Sequence, residues 1–105
     1  MIKENREKYK RELEARQKEL VAILSGLTAI AAHSTNVSAK AYGQASQNPD
    51  PTKACSKLTK SGVHIHGRMA VDAAKAIVTL QEQLYQIGVV FDYIQELEKE
   101  EDGES

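Results

Sequence analysis

Gln47-Asn48-Pro49-Asp50-Pro51-Thr52 decides the fold. Pro49 and Pro51 are the only prolines of the chain and stand near its midpoint. Each pushes the residue before it out of the α region, so Asn48 and Asp50 are expected to be extended or turn-like. Asp50 then reads as a helix N-cap, and Pro51 as the first helical residue, where a missing N–H leaves no bond unmade. One long helix ends here and another begins. The reading is all-α: a long antiparallel hairpin with a helix over about 3–47, a turn at 48–51 and a helix over about 52–98.

The segments on either side carry the pattern that this turn requires. Residues 3 to 20 are rich in charge, and Glu4/Lys8, Glu7/Arg11, Glu12/Arg16 and Glu14/Lys18 stand four apart with Glu leading, the favourable order. Their apolar stripe is thin: Tyr9, Leu13 and Leu20. It thickens through Ile23, Leu24, Leu27, Ile30 and Ala31, then continues with small residues at Ser34, Val37, Ala41 and Ala45 at helical spacing. Gly26 either permits a bend or is a helical glycine. After the turn, Leu58, Gly62, Ile65, Met69, Ala73, Ala76, Leu80, Leu84, Ile87, Phe91 and Ile94 follow a period close to 3.6. The stripe keeps its phase across Gly62 and Gly67, so the second half is read as one helix despite its low propensity there. After Leu97 the acidic residues 99–105 lack apolar material and are expected to be a disordered tail. The whole chain, 1–105, reads as a single hairpin domain.

Folding back at 48–51 sets Ala41 beside Leu58, Ser34 beside Ile65, Ala31 beside Met69, Leu24 beside Ala76, Leu20 beside Leu80 and Leu13 beside Ile87. Small faces large in several of these layers, as interdigitating helices require. One segment exceeds what such a hairpin can cover. Ile87-Gly88-Val89-Val90-Phe91-Asp92-Tyr93-Ile94 is apolar nearly all the way round, and a helix apolar on every side is normally buried on every side. Its partner within the hairpin is the polar stretch Tyr9 to Leu13. Val71, Val78 and Tyr85 add a second apolar line. Ile87, Val90, Phe91, Tyr93, Ile94, Val78 and Tyr85 are therefore the expected partner-binding residues. The expected assembly is a four-helix bundle completed by a second hairpin, from another protein or from a copy of this one.

Composition excludes several other classes. Fourteen basic residues balance fifteen acidic ones, with no tryptophan and one phenylalanine, which argues against a nucleic-acid binder. No signal peptide is visible and no uninterrupted apolar run reaches about 20 residues, so the expectation is a cytoplasmic protein without membrane insertion. Export without a signal peptide, together with a partner, is compatible with this. Cys55, the only cysteine, is expected to be a small buried residue. His64 and His66 lie about 200° apart on a helix and do not chelate together; His33 meets them only if the hairpin register brings it there. No nucleophile–base arrangement or phosphate loop is legible, so neither an enzyme nor a cofactor or metal site is expected.

The layout resembles the small helical-hairpin proteins of type VII secretion, the WXG/ESX family and the short bacterial partner proteins encoded beside LXG toxins. The shared features are the length, the central break, the Ala/Ser/Thr/Asn-rich first helix from Ala29 to Ser46, and an aromatic-then-acidic segment, Phe91-Asp92-Tyr93-Ile94-Gln95-Glu96. The turn carries no Trp-x-Gly, and Gln95 rather than an acid follows four residues after Phe91. The resemblance implies a non-catalytic adaptor or chaperone that packs beside the helical domain of a secreted effector, with Phe91 and Tyr93 as contacts. The alternative is a self-assembling helical oligomer, of the kind a phage encodes to inhibit a host system or to sequester a small ligand between subunits. In that case His64, Arg68 and Lys75 would line the ligand site.

Overall fold

A computed structural model describes residues 2–104, with no side-chain description for Glu104. Among them are three helices and no strand: α1 (Lys3–Ser46), α2 (Pro51–Ser61) and α3 (Val63–Glu104). α1 runs through Gly26 without interruption. By length and composition alone α1 is also apolar enough to cross a membrane.

The turn has the expected chemistry. Gln47 and Asn48 donate to the carbonyls of Gln44 and Ala45, tightening the last turn of α1. The Asn48 side chain accepts from the Asp50 N–H at 2.9 Å. Asp50 is extended, and its carboxylate accepts from the N–H groups of Thr52 and Lys53 at 3.0 and 3.3 Å, capping α2 with Pro51 in its first turn.

The second half is not one helix. Gly62 adopts φ 70°, ψ 20°, the left-handed conformation that ends helices, and its N–H donates to Thr59 O. Ser61 supplies the junction: its hydroxyl donates to Leu58 O at 2.7 Å and accepts from the Val63 N–H at 3.3 Å. α3 then restarts, with Ile65 N–H donating to Gly62 O at 2.9 Å. A single unbroken stripe across this point was the wrong extrapolation, because only glycine takes this backbone conformation without strain.

The chain forms two compact units. The turn unit comprises Ser25–Ile77 and the terminal unit comprises Met1–Leu24 with Val78–Ser105. In the turn unit a row of shielded residues runs through Leu27, Ala31, Ser34, Ser38, Ala41 and Ala45 of α1 and Val63, His66, Ala70, Ala73 and Ile77 of α3, flanked by half-buried Val37, Gly67 and Ala76. In the terminal unit they are Arg6, Lys10, Leu13, Leu20 and Leu24, with Leu80, Leu84, Ile87, Phe91, Ile94 and Glu98. Steps of three and four alternate. The period is therefore 3.5, the repeat of a coiled-coil seam, rather than 3.6. The two periods drift apart by about 20° every seven residues. Ile65 and Met69, expected in the core, accordingly lie on the surface, whereas Ala73 and Leu80 through Ile94 lie where expected.

Register differs as well. The expected pairing set Tyr9 to Leu13 against residues 87–94. In the terminal unit Lys10 reaches past that segment to Glu98 at 2.9 Å, and Arg6 reaches Glu98 and Glu101. A buried guanidinium needs a carboxylate partner, which these two residues supply. The same ion pairs accompany a helix that continues to Glu104 beyond the expected end near 98, so residues 99–104 are helical and not a disordered tail; Ser105 lies outside the described residues.

The two glycines predict opposite outcomes. Gly62→Ala forces a Cβ into the left-handed region and destabilises by about 1–2 kcal/mol, although its Cβ meets only ordinary contact with Ile65. Gly26→Ala, mid-helix with open space around it, stabilises by up to about 1 kcal/mol. Urea unfolding of both variants checks the pair of signs.

Candidate interaction surface

The seam buries little. Among the described residues the buried apolar side chains are Leu20, Ala54, Val63, Ala73, Ile87 and Ile94, two of them alanines. Thirteen large apolar side chains are exposed.

The expected partner-binding residues divide into three groups. Ile87 and Ile94 are turned into the seam of the terminal unit, 9% and 2% exposed. Phe91 and Val90 are half-buried. Val78, Tyr85 and Tyr93 stand open at 65%, 67% and 64%. With 100° per residue, Val78 and Tyr85 point about 140–160° away from the seam row, and exposed Val89 lies on the same outer face. α3 is thus apolar on its inner and outer sides over this stretch. Val21 was missed, and Ile23 and Ile30 were assigned to the core; all three are exposed. Reading α1 at period 3.5 would have placed Ile23 and Ile30 beside the seam rather than in it.

Polar groups interrupt the seam in the turn unit. Ser34 is fully buried, and the hydroxyls of Ser34 and Ser38 and Nδ1 of His66 are buried without a hydrogen-bond partner among the described residues. His33 and His66 do meet, edge to face, with ring centroids 6.1 Å apart. His64, Arg68 and Lys75 are exposed on α3. The described residues contain no cluster of three or more His, Cys, Asp or Glu side chains suited to a metal. Cys55 is exposed, a correction to its expected burial: it lies on the flank of α2, about 100° round from Ala54 and about 60° from Leu58, the residues that carry that helix's packing.

Two shallow grooves accompany the apolar faces. One in the turn unit, about 320 Å³, lies between Ala41, Ala45 and Asn48 of α1 and Ala54, Leu58 and Ser61 of α2, with Lys57 as its only charged lining residue. Alanines on both helices leave this space open. The other, about 230 Å³ in the terminal unit, is lined by Lys10, Phe91, Asp92, Ile94, Gln95 and Glu98.

Electrostatics are concentrated where Arg6 and Lys10 cross to α3. The hydrogen bond from Arg6 holds the Glu101 carboxyl below the ordinary carboxylate range, aided by the Arg6 charge. Hydrogen bonds to Glu101 and Glu98 hold Arg6 and Lys10 above their usual values. This arrangement clamps the helix ends and performs no visible chemistry. The chain matches no protein-family model, and no curated protein or solved structure compared with it gave a match.

Two measurements follow. Glu101 is depressed in the folded state, so its contribution is present above the unfolded carboxylate value, about 4.3, and is lost as pH falls through the folded value. Amide protection factors at residues 96–103, exchange rates corrected for the intrinsic pH dependence, should therefore fall on acidification through that range, and Glu101→Gln should remove the dependence; an unchanged profile in the variant contradicts the clamp. Ser34→Ala removes a hydroxyl that has no partner, so stability should hold or rise by up to about 1 kcal/mol. A loss greater than that in a urea titration contradicts the assignment.

Proposed function

We propose that this chain is a non-catalytic interaction protein whose hairpin docks against a second helical surface, the two together forming a four-helix bundle. One observation carries the reading: large apolar side chains on the surface outnumber the buried apolar ones by more than two to one. Isolated surface apolar residues are ordinary, but Val78, Tyr85 and Val89 share one helix face and lie back to back with the inner row of Leu84, Ile87 and Phe91. A helix apolar on opposite sides is stable in water when both sides are covered. The effector-targeting role implied by the type VII likeness is one form of this reading, with exposed Tyr93 and half-buried Phe91 as the contacts. The charge division described below favours self-association.

The test is a double substitution, Val78→Lys with Tyr85→Lys. Both side chains are solvent-exposed within the chain, so helicity by circular dichroism should be unchanged. Association, followed by light scattering or by titration with a helical partner, should weaken by at least ~30-fold, the effect of losing a central apolar anchor worth about 2 kcal/mol. Unaltered association in the double variant removes this face from the binding surface and the reading with it.

A further inference from the structure

Charge is divided unequally between the two units. The turn unit carries six Lys and Arg against two Asp and Glu, a net of +4, while the terminal unit carries eight against thirteen, a net of −5. The near-neutral total conceals two strongly charged parts. Building on the docking role above, we propose that the occupant of the exposed apolar surface is a second copy of this chain, arranged in a two-fold dimer with the turn unit of each copy on the terminal unit of the other.

Two observations select this arrangement. First, the charges match: a turn unit on a terminal unit sets +4 against −5, whereas turn on turn or terminal on terminal opposes like charge, and like-charge juxtaposition disfavours the wrong pairing. Second, each unit brings apolar surface to its contact: Ile30, Ile65 and Met69 from the turn unit, and Val78, Tyr85 and Val89 from the terminal unit. The open groove of the turn unit adds local complementarity. Its lone charge, Lys57, faces a partner unit whose α3 exposes Asp92, Glu96 and Glu100. Exposed ion pairs are individually weak, so the charges set orientation while apolar burial provides affinity. A two-fold axis satisfies both contacts at once, because the same two patches are presented by each copy.

Cys55, single and exposed in the turn unit, reports the orientation directly. The full-length native chain is mixed with a Cys55→Ser, Glu96→Cys chain and treated with a short bismaleimide, alongside light scattering of each sample. The expected result is a dimer by mass, a crosslink between the two different chains, and no Cys55–Cys55 crosslink in the native protein alone. Raising salt from about 50 to 500 mM should weaken the dimer roughly tenfold, because the exposed charges are then screened. A Cys55–Cys55 crosslink without the mixed one overturns the orientation. A monomer at concentrations up to about 100 µM overturns self-association, and that result is distinguishable from failure of the docking role: a monomer that binds a foreign helical domain through Val78 and Tyr85 retains the role, and a monomer that inserts into neutral lipid vesicles does not.

Discussion

A seam formed by residues alternately three and four apart conceals one stripe of each helix and nothing more. That geometric limit governs this protein. Within each unit, helices that touch along a single row leave most of their circumference in water. The seam is also chemically uneven. In the terminal unit it holds Leu20, Leu84, Ile87 and Ile94 and closes with Arg6 and Lys10 on Glu98 and Glu101. In the turn unit it holds Leu27, Val63 and Ile77 among alanines, serines and a histidine, small or polar side chains that dilute the apolar row. Side chains of this size bury far less apolar surface than leucine or isoleucine, and stability is roughly proportional to that area.

The polar and charged seam positions have a second consequence. A coiled coil built only from leucine and isoleucine tolerates shifts by one heptad, whereas a polar or charged position ties a helix pair to one register. Arg6, Lys10, Glu98 and Glu101 act in this way, since a shift by seven residues would leave a buried guanidinium against apolar side chains. Breaking such a pair is more costly than the pair is stabilising, because it strands the remaining charge. Ser34, Ser38 and His66 mark the turn unit in a similar manner, without the ion pairs.

How much of this was legible follows from the range of each interaction. The turn was readable because its determinants are local: Pro49, Asp50 and Pro51 act on their immediate neighbours, and Asp50 caps α2 as its position implies. The His33–His66 contact was left conditional on the hairpin register, and the fold brings the two rings together. Gly62 was not, since a helical glycine and a left-handed capping glycine look alike in sequence when the apolar pattern runs on past them. Ile65 and Met69 were misplaced through the small difference between periods of 3.6 and 3.5, which accumulates with distance from a fixed point. The far register was missed because Arg6 and Glu101 stand 95 residues apart, where pairing depends on the whole fold. Of the candidate surface, the outer line of Val78 and Tyr85 was visible as an apolar row with no counterpart. Ile87 and Ile94 share that segment, and only the three-dimensional arrangement separates residues used inside the hairpin from those presented outside it.

The central claim is that the folded chain keeps more apolar surface than it hides, and that association covers the remainder. Thermal unfolding by circular dichroism, repeated over a thousandfold range of protein concentration, tests this most directly. Because anything that binds only the native chain stabilises it by mass action, the midpoint should rise steadily with concentration. A midpoint that stays constant across the range, with a single sharp transition, would show a chain that is stable alone and contradict the account.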